Sequence, residues 1–286
     1  MAFTLALNSS NVISGSNNTS FKYNFIGGGF AAKDMQICVG ALTMPYSIFN
    51  ISSFYGNNTF QIIFPTLTGP LFAPVTLPDG HYSVVDIQQY IQAVCITNGF
   101  YLIDSTGDYV FYLYLTYSPV YYALQLVATL VPTVLPAGWS VPSNWNGFPP
   151  ISYTANLYLD NTNSIAPIIG FNPTQYYFPP NYNYTSNYST LSTLTPQGST
   201  VNSIIIKNTL CSNQCTTPSD IMDGFSIGQT AFGSNIIYEP AFQKNVPIRD
   251  GTYNSMVISF VDQNLNSFVA NDPNVAITIL ISKRND

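Results

Sequence analysis

Short strand-like runs, separated by turn residues, dominate this chain and limit it to one class of fold. Residues 34–44, 59–64, 109–116 and 274–282 are rich in Ile, Val, Phe, Tyr and Thr and are bounded by Pro, Gly and Asn. β-branched and aromatic residues favour strands, and such turn residues end them. Many short strands of this kind predict an all-β chain, folded as an antiparallel β-sandwich of jelly-roll type.

One segment, LPDGHYSVVDIQQYIQAVCITNGF (77–100), has helical spacing instead. Ser83 is a candidate N-cap, and Asp86 stands three residues later, as in a capping box. Asn98-Gly99 supplies a stop signal. The segment therefore predicts one short helix over about residues 83–97, between strands, covering one open end of the sandwich. Its apolar face would consist of Val84, Ile87, Ile91 and Val94.

The Pro-Asp-Gly turn in front of this helix is predicted to be structural. Gly80 is expected at a positive φ, which glycine adopts without the cost that a Cβ imposes. Gly80, Ser83 and Asp86 together are therefore predicted to form a structural turn and helix cap and to take no part in chemistry.

The strand pattern predicts a flexible N-terminal segment over residues 1–20 and a single jelly-roll domain over residues 21–286. Two loop excursions interrupt that domain, at about 131–150 and 172–199. The first contains both tryptophans and is rich in proline, which excludes a central strand. It is either an ordered excursion pinned by the tryptophans or a plain surface loop.

The scarcity of charge bears on the chain's surroundings. Only 7% of the residues are Asp, Glu, Lys or Arg, whereas 46% are hydrophobic; ordinary soluble proteins carry roughly a quarter charged residues. The surface must then be hydrated by Asn, Ser, Thr and Tyr, or be covered in an assembly. A net charge of −6 argues against direct binding of nucleic acid, which needs clustered cations. No apolar run is long enough for a membrane-spanning helix.

No catalytic, cofactor-binding or metal site is predicted. His81 is the only histidine, and the chain has neither a Gly-x-Ser-x-Gly elbow nor a P-loop. A zinc site at Cys211 and Cys215 would need two further ligands, so this pair is either a local disulfide or two free thiols. Five carboxylates outside obvious turns stand in no recognisable motif: Asp34, Asp104, Asp108, Asp160 and Asp262.

The second excursion is unusually rich in tyrosine and nearly free of charge. Tyrosine gives a large contact area at low entropic cost, which suits protein and sugar contacts. This stretch is therefore a possible contact loop, although the same tyrosines would also keep a poorly charged loop packed and hydrated. The residues concerned are Tyr176, Tyr177, Tyr182, Tyr184 and Tyr188.

Four blocks, taken in order, resemble a known family. They are ALTMPYSIFNISSFYGNNTFQIIF (41–64), VTLPDGHYSVVDIQQYIQ (75–92), SIAPIIGF (164–171) and VPIRDGTYNSMVISFVDQNLNSFVANDPNVAITILISK (246–283). In this order they are similar to the single-jelly-roll penton or minor capsid proteins of virophages, polinton-type elements and related large double-stranded DNA viruses. The similarity runs from about residue 30 to the end and leaves out the two excursions.

The resemblance implies a structural virion protein and not an enzyme. It would be a penton protein that forms homopentamers at the fivefold vertices of an icosahedral capsid, assembled inside the host cell. Its neighbours would be the major capsid protein of double-jelly-roll type and possible other vertex proteins. The alternative on the same fold is a spike or minor capsid protein that binds a host-surface receptor or glycan. Neither role implies a cofactor.

Overall fold

A computed structural model describes residues 2–27, 29–159, 162–173 and 186–284. The described residues form strands, one α-helix and a short 3-10 helix at Ser9–Asn11. In the first half of the chain the elements are β1 (Ala2–Leu7), β2 (Ser20–Asn24), β3 (Phe30–Ala32), β4 (Met35–Pro45), β5 (Thr59–Thr66), β6 (Gly69–Thr76), α1 (Val84–Asn98), β7 (Tyr101–Ile103), β8 (Tyr109–Phe111), β9 (Leu113–Ser118) and β10 (Ala123–Ala128). In the second half they are β11 (Asn156–Tyr158), β12 (Tyr188–Leu191), β13 (Ser203–Asn208), β14 (Ile221–Ser226), β15 (Asn235–Tyr238), β16 (Val246–Pro247), β17 (Gly251–Tyr253), β18 (Ser255–Asp262) and β19 (Ala276–Lys283).

The chain forms two compact units. Unit 1 consists of Met1–Ile48 and Val201–Asp286, so both ends of the sequence contribute to it. Unit 2 is the continuous stretch Phe49–Thr200, inserted between β4 and β13.

The strand order of unit 1 is that of a jelly roll. One sheet has the order β1-β19-β4-β15, with β16 also paired to β4, and the other has the order β14-β13-β18-β2. We call the eight strands of these two orders the long-range strands of unit 1; in chain order they are β1, β2, β4, β13, β14, β15, β18 and β19. Numbered 1 to 8 in that sequence, they give the orders 1-8-3-6 and 5-4-7-2. Two four-stranded sheets wound in this way from two Greek keys define the jelly roll. The predicted all-β, antiparallel jelly-roll class is confirmed.

Alternating burial gives unit 1 its core. Along β18 the side chains of Met256, Ile258 and Phe260 are buried, and their neighbours in sequence are only half-buried. Strand β19 repeats the pattern in the other sheet, with Ile277 and Ile279 buried. Because strand side chains alternate between faces, each sheet buries one face and keeps a more polar one, as the layers of a sandwich do.

The start of the chain belongs to the jelly roll. Residues 2–7 pair antiparallel with β19, with Leu5 opposite Ile279 and Leu7 opposite Ile277. Both leucines are buried. The prediction of a flexible segment over residues 1–20 does not match this arrangement, because the alternating apolar residues of FTLAL complete an edge of the core sheet.

The described residues of unit 2 form three small sheets and the helix. The sheets have the orders β11-β5-β6, β12-β10-β9 and β7-β8. Helix α1 packs on β9 and β6, and Ile87, Ile91 and Cys95 are its buried residues. The helix exists where the sequence predicts it, and its buried residues belong to the core of unit 2. The expectation that it covers one open end of the sandwich stays a prediction.

The proline-rich excursion, residues 131–150, is ordered against this helix. Asn144 Nδ2 donates to Thr97 O at 3.0 Å, and Asn146 Nδ2 donates to Asn98 O at 3.2 Å. These carbonyls lie in the last turn, where no intrahelical donor remains. Trp145 packs edge-on against Phe64, with ring centroids 5.9 Å apart. Of the two alternatives for this segment, the ordered one is therefore correct.

The two units divide the chain at other positions than the predicted boundaries. The jelly roll is built from both ends of the chain, and residues 49–200, which include several strands expected within it, form unit 2. Whether the two units behave as the single domain predicted over residues 21–286 stays a prediction.

Gly99 provides a test of the contact between helix and excursion. It ends α1 with a φ of 71°, and a Cβ there would lie 2.5 Å from Asn144 O. We expect Gly99→Ala to lower the free energy of unfolding by about 2–4 kcal/mol, from the left-handed backbone together with the clash. Gly107→Ala is the matched control, because Gly107 has a φ of 91° and open space around its Cβ position. It should lose only about 1 kcal/mol in urea unfolding. Equal losses would contradict the close approach.

Candidate contact surfaces

Gly80 lies in the turn for a reason other than the predicted one. Its φ is outside the left-handed region, so the expectation of a positive φ is wrong. It forms an isolated bridge with Ile51, in which Gly80 N donates to Ile51 O at 2.9 Å and Ile51 N donates to Gly80 O at 3.1 Å. A Cβ on Gly80 would lie 2.8 Å from Tyr82 Cε2. Glycine is required by the neighbouring ring and not by the backbone.

A buried asparagine organises this turn. Asn50 is 1% exposed, and its amide donates to Tyr82 O at 2.8 Å and to Gly198 O at 2.9 Å. Its carbonyl accepts from Tyr82 N at 2.8 Å. Asn50 thereby joins the beginning of unit 2, its end and the turn before α1. The only hint of Asn50 in the sequence is its place in a glycosylation sequon, and its burial leaves no room for a sugar.

The cap at the helix start has the geometry of a capping box. Asp86 N donates to Ser83 Oγ at 3.2 Å, and Ser83 N donates back to Asp86 Oδ2 at 2.8 Å. The hydrogen bond from the Ser83 hydroxyl lowers the pKa of Asp86, as does the one from the Ser83 backbone. Asp79, at the tip of the turn, accepts from Ser53 N at 2.7 Å and from both Ser52 and Ser53 hydroxyls. The Ser53 backbone hydrogen bond is the main cause of the lowered pKa of Asp79.

The proposed tyrosine contact loop is only partly described. Tyr176, Tyr177, Tyr182 and Tyr184 lie outside the described residues. Tyr188 begins β12, opposite Ala128 of β10, and is half-buried against the core of unit 2. Tyr188 therefore packs on this core, and the contact role of the loop stays a prediction.

A different aromatic surface projects from unit 2. The β9–β10 hairpin ends in Tyr117, Val120, Tyr121 and Tyr122, all of them exposed; Val120 is 83% exposed and Tyr121 is 69% exposed. This tip is not among the contact surfaces that the sequence predicts. The signal for this tip in the sequence is Ser118-Pro119, a pair that favours a turn.

Most of the described carboxylates accept hydrogen bonds in turns or form local pairs. Asp104 Oδ1 accepts from Thr106 N and Asp108 N at 2.8 and 3.0 Å in one exposed turn. Asp262 accepts from Asn264 N and Asn266 N, both at 2.8 Å. Asp160 lies outside the described residues. Over the described ranges, no cluster of three His, Cys, Asp or Glu side chains could hold a metal ion.

The cysteines are free thiols. Cys211 is buried and Cys215 is exposed, which leaves the second of the two alternatives for this pair. Burial raises the pKa of Cys211 to about 12, so this thiol is protonated and unreactive at neutral pH.

No helix among the described residues has the length and apolar character needed to cross a membrane.

Comparisons with known proteins give structural likeness only. No protein-family model matches the chain, and no curated protein matches it. The crystal structure of the mavirus penton protein shares 10% identity, covers 99% of this chain and 100% of that one, and has a TM-score of 0.44. A chain of the Sputnik virophage, solved by cryo-EM, shares 11% identity, covers 99% of this chain and 98% of that one, and has a TM-score of 0.40.

The chain is similar to virophage capsid structures. This is the group that the four sequence blocks resemble. TM-scores below 0.5 assign neither fold nor role, and the jelly-roll class stands on the strand order of unit 1.

A double-mutant cycle tests the role of Gly80. We expect Gly80→Ala to cost about 1–2 kcal/mol of unfolding free energy, because the new methyl group displaces the Tyr82 ring. In a Tyr82→Ala background the same substitution should cost less than about 0.5 kcal/mol, since the obstructing ring is gone. Urea unfolding measures both values. A cost that persists without the ring would show that the backbone is the constraint after all.

The turn should also respond to acid. A carboxylate with a lowered pKa stabilises the native state above its unfolded pKa of about 4, and that stabilisation is lost as pH falls through the folded pKa. We expect the free energy of unfolding to decrease as pH drops below about 4. Asp79→Asn, which lacks the ionisable group, should show a shallower decrease in urea titrations across this range. An unchanged pH slope would contradict the hydrogen-bonded assignment of Asp79.

Proposed function

We propose that this chain is a structural virion protein that forms homopentamers at the fivefold vertices of an icosahedral capsid. The observation that carries the proposal is the scarcity of charge on a jelly-roll chain: 7% Asp, Glu, Lys and Arg. Charged residues are depleted where surfaces are buried between subunits. A surface with few charges and many Asn, Ser, Thr and Tyr residues suits a protein surrounded by neighbours.

The resemblance of the four sequence blocks supports the vertex role specifically. A ring of five requires a heterologous interface, in which one face of each subunit meets a different face of the next and the rotation closes. A third face would then contact the major capsid protein of double-jelly-roll type. The proposal includes no reaction and no cofactor, and it places the protein in the virion.

The exposed β9–β10 tip favours a second candidate function. Tyr121 and Val120 are mostly exposed, and tyrosine is enriched where proteins bind sugars and other proteins. A spike or minor capsid protein of the same fold would use such a tip to bind a host-surface receptor or glycan. This candidate differs from the first in requiring a ligand outside the particle.

Oligomeric state tests the vertex proposal. We expect native mass spectrometry of the full chain to show a species of five subunits, each of 31.4 kDa. Cryo-EM of assembled particles should place the chain only at fivefold positions. A chain found at threefold or local sixfold positions would contradict the vertex role and leave the fold intact.

A tip variant separates the two functions. Val120→Asp with Tyr121→Asp adds charge to an exposed hairpin, and Val134→Asp is the control, because Val134 is also exposed in unit 2. The spike function predicts glycan-array or cell binding by the wild type and the control, with loss in the tip variant. Absence of binding by the wild-type protein, together with a pentamer in solution, would exclude the spike function.

A further inference from the structure

All the lysine and arginine side chains of this protein lie in unit 1. The sequence between Lys33 and Lys207 contains no Lys or Arg, although it contains six aspartates, five of them in unit 2. Unit 2 therefore has five carboxylates and no such cation, whereas unit 1 has seven cations and eight carboxylates. The formal charges are −5 and −1, which together give the net −6 of the chain.

Strand pairing concentrates most of these cations at one end of a sheet. Lys283 is opposite Met35 at the beginning of β4, two residues after Lys33. Strand β16 pairs with the same end of β4, with Pro247 opposite Gln36. The cations that this register brings to the sheet end are Lys33, Lys244, Arg249, Lys283 and Arg284.

A cavity opens at this end of unit 1. It has a volume of about 690 Å³, and its walls include both arginines of the chain, Arg249 and Arg284. Lys244, Asp250 and the neutral Asn213 also line it. We call it the arginine cavity.

The two arginines are held in place but are not neutralised. Arg249 Nη2 donates to Ser219 Oγ at 3.0 Å. Arg284 donates from Nε to Met35 O and from Nη2 to Ile248 O, both at 3.3 Å. Neither guanidinium forms an ion pair with any carboxylate of the described residues. A guanidinium has five N–H donors, so each arginine keeps donors for a ligand.

Lys244 differs from the arginines because it already has a counter-ion. Its Nζ lies 2.7 Å from Asp223 Oδ1, and the Asp223 side chain is 2% exposed. The electrostatic attraction for an anion in the cavity therefore comes from Arg249 and Arg284. The carboxylate of Asp250, which also lines the cavity, opposes it.

We propose that the arginine cavity binds a carboxylate group of a neighbouring polypeptide. The planar fork of arginine matches the two oxygens of a carboxylate, and guanidiniums already held by the Ser219 hydroxyl (Arg249) or by backbone carbonyls (Arg284) lose little freedom on binding. A nucleic acid is a less suitable ligand. Its phosphate chain would extend beyond the two arginines and be repelled by a protein of net charge −6. The carboxylate belongs either to the anionic unit 2 of a second copy or to an acidic segment of another protein. The site does not rest on the proposed vertex function.

A titration of the full chain with succinate tests the site. In buffer of low ionic strength, where screening is weak, amide NMR shifts should be confined to residues 212–215, 245–250 and 284. Arg249→Gln should raise the succinate Kd by about tenfold, because a charge-assisted bidentate pair is lost. Lys22→Gln is the matched control: it removes one exposed cation from β2, away from the cavity, and should change the Kd less than about twofold.

Several outcomes would overturn the proposal. They are absence of shifts with succinate, shifts centred outside the cavity, or equal weakening by Arg249→Gln and Lys22→Gln. Orthophosphate binding more tightly than succinate would show a phosphate site instead. Arg249→Lys keeps the charge but loses the fork, so an affinity between those of wild type and Arg249→Gln is expected. Unfolding curves that match the wild type establish that each variant is folded.

Sedimentation distinguishes the two sources of the carboxylate. If the source is a second copy, excess succinate or the Arg249→Gln substitution should shift the self-associated protein toward the monomer. If the oligomer withstands both while succinate binds, the source is a different protein. If the oligomer forms independently of the cavity, the vertex proposal is unaffected. The carboxylate site and the vertex role can therefore be disproved separately.

Discussion

The joint at which the inserted unit begins and ends is the constraint on which the rest of the chain depends. Residues 49–200 separate the third and fourth long-range strands of the jelly roll. The chain therefore needs to leave the jelly roll and return to it at one place. Asn50 meets that need with one buried amide, which binds Tyr82 and Gly198. A buried amide with its hydrogen bonds satisfied stabilises a unique geometry, and losing its partners would cost the full desolvation of each group. Thr200 Oγ1, 3.5 Å from Phe49 O, lies at the same joint.

Polar side chains replace ion pairs throughout this molecule. Only Lys207–Asp220 and Lys244–Asp223 form salt bridges in the described part of the chain. Turns and helix ends are instead closed by Asn, Ser, Thr and Asp side chains that bond to backbone groups. The contacts made by Asn, Ser and Thr keep their strength when a surface is covered by a neighbour, because these side chains carry no charge to be desolvated. Low charge is therefore compatible both with a stable fold and with extensive burial in an assembly.

Local signals made the fold class and the helix predictable. Alternating apolar residues identify β18 and β19, and Ser83 with Asp86 identifies the start of α1. The boundary between the units was not predictable, because strands of both units have the same local pattern and only long-range pairing separates them. The same limit applies to β1, whose partner is at the other end of the chain. Gly80 shows a third limit: its requirement is set by the position of the Tyr82 ring, which no dipeptide pattern encodes. The arginine cavity, likewise, joins residues far apart in sequence.

An insert whose two ends touch has a further consequence. Since Phe49 and Thr200 meet at a single point, the stretch between them can lengthen, shorten or be exchanged while the eight-stranded order stays the same. The jelly roll can then stay the same while the inserted unit varies. Such a design separates the surface that evolves from the framework that must fold, so new binding properties can arise without a new architecture.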